Sequence, residues 1–285
     1  MASPGIQDIA AVALGKTAGA ASRLTGRGGG SSLPGVLARR VSPNLLQDVV
    51  AGQKVPVIAV TGSNGKTTTS RFVTALLRGE GLDVAQNRDG ANLEQGVTTL
   101  ALQAAGWNGR ISDGTVLVVE VDEGALRVVA PETDPRVLVV TNLFRDQLDR
   151  FGEIYAISDV IAYAARKLPQ SSTLVVNADD PLTAELGKDG PHRRLTFGLE
   201  LDRSYGRITS AADSIRCPRC QGDLHYSEVY LSHLGRYACS RCDFARPSVD
   251  VAVVELHIEG LTSTRVRLRT PEGELEVTVP QPGLH

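Results

Sequence analysis

No uninterrupted apolar run in this 285-residue chain reaches the roughly 18–20 residues that span a bilayer, so a helical membrane anchor is not expected. Neither sign of charge is in excess, with 30 Lys and Arg against 32 Asp and Glu. That balance argues against a global basic field for nucleic acid and against an acidic disordered segment. No cysteine stands outside two CxxC pairs, so there is no disulfide framework, and a cytoplasmic location is expected. Internal repeats are absent as well. The N-terminal IQDIAAVALGKTAGAASRL lacks a basic leader. Asp8 precedes its apolar part and Lys16 interrupts it, which predicts a short helix rather than a signal peptide.

What is present is a globular balance, long enough for one large domain and a smaller module. Residues 1–52 read as an N-terminal helical segment, broken by the flexible GRGGGSSLPG and closing on a helix–turn–helix stretch over 36–52. From there the pattern turns to strand, turn, helix. VPVIAV (55–60), TVLVVEV (115–121), RVLVVTN (136–142) and STLVVNA (172–178) suit parallel strands covered on both faces. Helices are expected over 68–81, 94–106 and 155–168. The fold class predicted is α/β, a doubly wound, mostly parallel sheet, with the main domain over 53–204. Residues 205–250 hold every cysteine and read as an inserted ribbon. Three alternating runs from 251 onward then read as antiparallel strands returning to the central domain.

The four strand runs end in TGSNGKTT, EVDE, TNLFRDQLD and NADDP. Ligands of open parallel sheets bind outside the carboxyl ends of the strands, so these ends are expected to describe one site. GSNGKT matches the back half of a phosphate loop, although Val60 stands where the usual first glycine would be. Gly62, Asn64, Gly65, Lys66, Thr67 and Thr68 are the candidates for the phosphates of ATP. Lys66 supplies the cation and Thr67 a ligand for Mg²⁺. Glu120 is the candidate carboxylate for the same ion. Asp122 and Glu123 read equally well as a solvated acidic turn. Asn177 and Asp180 are candidates on the nucleotide side.

Cys217, Cys220, Cys239 and Cys242 form C-x2-C-x18-C-x2-C, the spacing of a tetrahedral zinc site. A redox pair or disulfides are the alternatives. Arg219, Arg236, Arg241 and Arg246 are expected to offset thiolate charge, and His225 and His233 to lie on the surface. Zinc knuckles often bind nucleic acid, but no Lys-rich stripe accompanies this one. A closed thiolate site suits a structural role.

TGSNGKTTT, NRDGANL (87–93), EVDEGAL (120–126), TNLFRDQLDRFGE (141–153) and NADDP (177–181) together resemble the central ATPase domain of the Mur ligase superfamily. That family joins a carboxylate to an amine through an acyl-phosphate. The resemblance implies catalytic roles for Lys66 and Glu120, and a substrate or metal side lined by Asn92, Asn142, Asp146 and Gln147. Gln147 stands where many members carry a metal-holding His, and Ile161 near where many carry a carbamylated Lys. LPGVLARR (33–40), Gln147 and the ribbon narrow the likeness to a subgroup that amidates lipid II. Its substrate is the α-carboxylate of D-glutamate, its product D-isoglutamine, and its ammonia comes from a GatD-like glutamine amidotransferase in a heterodimer. The lipid-linked substrate implies work at the inner face of the membrane. PQPGLH resembles the opening of a helix that leads, in the family, to adenine contacts and a C-terminal domain, so those are expected beyond this chain. Another ligase of the superfamily, folylpolyglutamate-synthase-like or peptide-adding, is the first alternative. A zinc-ribbon NTPase that binds nucleic acid is the second.

Overall fold

Valine and leucine runs set the frame. The computed structural model describes residues 4–25, 32–87, 90–144, 153–201, 216–260 and 262–280, and these divide into two compact units. The first comprises residues 1–139, 159–173 and 190–193, and the second 140–158, 174–189 and 194–285.

In the first unit, helices α1 (Ile6–Thr25) and α2 (Leu33–Val41) precede a π-helical turn (Gln47–Ala51). Asp8 lies in the first turn of α1. Its carboxylate accepts from the Gly5 amide at 2.8 Å and from the Ser42 hydroxyl at 2.7 Å, stabilising the positive end of the helix. The helix runs 20 residues, longer than its sequence suggested. Next come β1 (Val57–Thr61), α3 (Lys66–Gly79), β2 (Asp83–Gln86), α4 (Glu94–Ala104), β3 (Thr115–Glu120), α5 (Leu126–Thr133) and β4 (Val137–Val140). The strand order is β4-β1-β3-β2, with β1–β3 and β2–β3 parallel. All six residues of β3 are buried. Val116 and Val118 pack with Val84 against Val73 and Leu77 of α3, so the alternate Leu117 and Val119 are buried on the opposite face. Burial on both faces is what a doubly wound sheet requires.

The second unit holds β5 (Thr173–Asn177), the short α7 (Pro181–Glu185), β6 (Arg193–Leu199), the hairpin β7 (Leu224–Leu231) and β8 (Leu234–Cys239), and β9 (Val251–Glu259), β10 (Ser263–Thr270) and β11 (Gly273–Val279). Helix α6 (Glu153–Arg166) has residues in both units. Here the order is β11-β10-β9-β6-β5, with β6–β9 parallel and β9–β10–β11 an antiparallel meander. One meander face is a charge ladder in which Arg267 meets Glu255 at 2.9 Å. The hairpin pairs separately, as a two-stranded sheet.

Among the described residues, no helix is long and apolar enough to cross a membrane.

Candidate functional site

The phosphate loop follows β1. Gly62 (φ 123°) and Gly65 (φ 82°) both occupy the left-handed half of backbone space, where a side chain is strained. Gly65 caps α3 without a side-chain bond, so the first amides of that helix stay available in front of the loop. Asn64 and Gly65 are exposed, and Thr67 and Thr68 are half-buried in the first turn. Lys66 Nζ folds back over the loop. It donates to the Gly62 carbonyl, to the Ser63 carbonyl at 3.3 Å and to Glu123 Oε1 at 3.1 Å.

Parallel register brings β3 to the same place. Val60 pairs with Glu120, so the carboxylate-bearing end of β3 lies beside the residue that enters the loop. Glu120 is 6% exposed. Its backbone is clamped by Asn87, whose Oδ1 accepts from the Glu120 amide and whose Nδ2 donates to the Glu120 carbonyl, both at 2.8 Å. The Asn92 carbonyl accepts from the Asp122 amide at 2.9 Å, so NRDGANL is stitched to the end of β3 by its backbone. Glu123 is no idle turn residue, because it pairs with Lys66. The sequence held that possibility open, since EVDE places it three residues past Glu120. A left-handed glycine loop opening a helix, a cation and a buried carboxylate form a donor set suited to a polyphosphate with its divalent ion.

The other strand ends lie in the second unit and differ in kind. Asn142 is half-buried in the segment after β4. Asn177 Nδ2 donates to the Thr141 carbonyl at 3.0 Å, and its Oδ1 accepts from the Asp179 amide at 2.9 Å. Asp180 is fully buried. Its Oδ2 accepts from the Leu143 amide at 2.7 Å, and its Oδ1 caps α7 through the Leu182 amide at 2.9 Å. Both side chains are thus engaged by their own unit's backbone. Asp146 and Gln147 lie outside the described residues.

The four cysteine sulfurs lie within 4.8 Å of one another. Cys217 to Cys242 is 3.6 Å and Cys220 to Cys239 is 3.4 Å, far beyond a disulfide bond of about 2.05 Å. Tetrahedral zinc with Zn–S bonds near 2.3 Å sets its sulfurs about 3.8 Å apart, so this cluster fits that ion. Burial pushes the Cys217 thiol up to about 12, while the Arg241 amide, 3.3 Å from Cys239 Sγ, pulls Cys239 down to about 6. Aromatic residues pack against the cysteines as a small core. Tyr237 stacks on Phe244 at 5.5 Å, and both are buried.

Two expectations about this module are corrected. Three of the four arginines are paired with carboxylates instead of serving the thiolates. Arg246 meets Asp179 at 2.7 Å, Arg219 meets Glu185 at 2.8 Å, and Arg236 meets Glu228 at 3.0 Å. His225 is exposed as expected, but His233 is 1% exposed. It sits in the two-residue turn of the β7–β8 hairpin, where sequence alone predicts solvent.

Residues 60–238 match the Mur ligase middle domain, and the chain belongs to the Mur ligase family. More narrowly, it is similar to the MurT subunit of the glutamine-hydrolyzing lipid II isoglutaminyl synthase of Streptococcus pneumoniae. Identity is 35% over 257 residues, which cover 89% of this chain and 55% of that protein. The MurT subunit of Staphylococcus aureus is 33% identical over 236 residues, covering 83% of this chain and 52% of that protein. Among solved structures, a pseudomurein peptide ligase type C from Methanothermus fervidus aligns at 26% identity with a TM-score of 0.61, covering 81% of this chain and 44% of that one. The chain thus spans about half the length of the curated relatives it matches.

Proposed function

We propose that this chain carries the ATP-binding part of an ATP-dependent carbon–nitrogen ligase of peptidoglycan synthesis, the synthetase subunit that amidates lipid II. A carboxylate oxygen of the substrate attacks the γ-phosphorus of ATP, ADP leaves, and an acyl-phosphate forms. Ammonia then attacks the acyl carbon and phosphate departs. The acid is the α-carboxylate of D-glutamate in the stem peptide and the product is D-isoglutamine.

Within this scheme Gly62 through Thr68 wrap the β- and γ-phosphates with backbone amides. Lys66 exchanges Glu123 and the loop carbonyls for phosphate oxygens, holding charge as the phosphoryl moves. Thr67 and Glu120 would hold Mg²⁺, which supplies positive charge at the phosphates when bound. Asn92, Asn142, Asp146 and Gln147 are assigned to the substrate or metal side. Asn177 and Asp180 serve the nucleotide side indirectly, by holding the ends of β4 and β5. The cysteine cluster would hold structural zinc. All four cysteines belong to it, so the chain offers no thiol nucleophile for glutamine hydrolysis. A GatD-like glutaminase partner would release ammonia, and the complex would work at the cytoplasmic face on its lipid-linked substrate.

The observation that carries this reading is the Lys66–Glu123 pair over a left-handed glycine loop, in a chain 33–35% identical to MurT subunits. The full-length protein, combined with a glutaminase partner, is expected to amidate lipid II with glutamine and ATP, and Lys66→Ala is expected to abolish turnover. Amide formation on folates or UDP-linked peptides, with none on lipid II, would transfer the chain to another branch of the family. ATP hydrolysis stimulated by RNA and indifferent to all of these would remove it from ligase chemistry.

A further inference from the structure

The hairpin tip carries a residue that neither the proposed chemistry nor the cysteine cluster uses. Ser232 and His233 form a two-residue turn, with Ser232 in the left-handed region at φ 50° and Leu231 paired to Leu234. A tip of this kind ordinarily points into water. Here the imidazole is 1% exposed, lies 4.8 Å from the Phe144 ring and sets Nε2 3.6 Å from Asp180 Oδ1. Among the described residues, Nε2 has no hydrogen-bond partner.

The rest of the hairpin grips the same turn. The Gly235 amide donates to the Asp179 carbonyl at 2.9 Å and the Tyr237 hydroxyl to the Ala178 carbonyl at 3.0 Å. Arg246, in the same module, holds the Asp179 carboxylate and donates to the Leu199 carbonyl at 2.8 Å. At its opposite end the hairpin runs into the cysteines, because Cys239 closes β8 and pairs with Leu224. Six residues of strand, about 20 Å, therefore separate the cluster from the tip.

Asp180 is where the tip meets the rest of the unit. Its Oδ2 takes the Leu143 amide, fixing residues 141–144, the segment that directly precedes Asp146 and Gln147 in sequence. We propose that the cysteine ribbon is a positioning device whose working end is His233: it packs Asp180 and Phe144 so that residues 141–144, which follow β4, are held in one conformation. The cysteines fold the hairpin, the hairpin delivers the imidazole, and Asp180 passes the constraint to the Leu143 amide. His233 is a positioning residue and touches no reacting atom. The catalytic half of the inference rests on the ligase reading above, while the structural half stands without it.

The test separates the two. Amide hydrogen exchange is followed at Leu143 and, as an internal reference, at Val118 in the phosphate-loop unit. His233→Ala, the volume-conserving His233→Leu, and wild-type protein stripped with a zinc chelator are each expected to speed exchange at Leu143 by about tenfold or more, leaving Val118 unchanged. Exchange at Leu143 that is unaltered in the two variants overturns the role of His233. Exchange unaltered by the chelator overturns the link to the ribbon. In the full-length protein with its glutaminase, His233→Ala is expected to lower kcat for lipid II amidation about tenfold with KM for ATP unmoved, and His233→Gln to recover most of it. Unchanged kcat alongside faster Leu143 exchange overturns the catalytic half. A wild-type protein that amidates nothing removes the ligase reading, and the exchange result at Leu143 still decides the positioning claim.

Discussion

The phosphate loop after β1 and the NADDP turn after β5 are the same sentence in the sequence, a β-branched run closing on small and polar residues, yet they are put to opposite uses. Around Gly62–Thr68 part of the loop reaches solvent. Asn64 and Gly65 face solvent, and Lys66 rests on loop carbonyls and Glu123. Around Asn177–Asp180 every carboxylate and amide is buried and engaged. Asp179 takes Arg246 and the Leu199 amide, and Asp180 takes the Leu143 and Leu182 amides. Burial even holds the Asp179 carboxyl above its ordinary range despite the guanidinium beside it. Polar residues at a strand end can thus receive a ligand or lock neighbouring backbone, and the deciding variable is what packs on them. Over NADDP it is the ribbon hairpin.

Three substitutions sharpen that contrast. The largest effect is expected from Cys217→Ser with Cys220→Ser. Structural zinc contributes apparent free energies of about 10–16 kcal/mol in zinc-finger peptides, so losing two ligands should unfold the hairpin. Metal analysis is expected to fall from one zinc per chain to none. Exchange protection should vanish over β7 and β8 and persist over β1 and β3. A folded, zinc-free wild type would contradict the cluster's role.

Arg246→Ala comes next. It strands the Asp179 carboxylate in the interior, where breaking one side of a buried pair costs about 3–5 kcal/mol. Chemical denaturation is expected to show that loss, and Arg246→Lys to recover only part of it, since Arg246 reaches Asp179 through both Nε and Nη2. A loss under 1 kcal/mol, on the scale of an exposed pair, would place this contact with the meander's surface ladder instead.

Gly65→Ala is the smallest in stability and sharp in function. A Cβ there meets nothing nearer than Thr69 Oγ1 at 4.0 Å, so the cost is backbone strain alone, about 1–2 kcal/mol. Denaturation should report that modest loss, while ATP affinity drops because the loop amides no longer converge. Unchanged affinity would mean that the loop's conformation does not matter to the ligand.

Where the sequence was legible, the reason is periodicity with an unambiguous punctuation mark. The four apolar runs fall on β1, β3, β4 and β5 within two residues at each end, and the alternating runs after 250 fall on β9, β10 and β11. The loop and the cysteine cluster were legible because glycines before a Lys and paired CxxC leave few alternatives. Other elements gave too little signal. β2 has only four residues, DVAQ, with one buried. α5 carries Pro131 inside it, which reads as a breaker, although an eight-residue helix can lose one amide donor near its end. His233 was illegible in principle. Nothing in LSHLG marks a turn that will be pressed into the protein, because the cause, the NADDP turn and Phe144, lies tens of residues away in the chain. The same holds for Asn177 and Asp180, whose partners come from the segment after β4.

The most direct measurement is a crystal structure of the protein with a non-hydrolysable ATP analogue and Mg²⁺. The expected result has the β- and γ-phosphates against the amides of Gly62 to Thr68, Lys66 Nζ moved from Glu123 to a γ-oxygen, and the ion between Thr67 and Glu120. A nucleotide bound elsewhere, with Lys66 still on Glu123 and the loop empty, would contradict the assignment of this loop as the phosphoryl donor site.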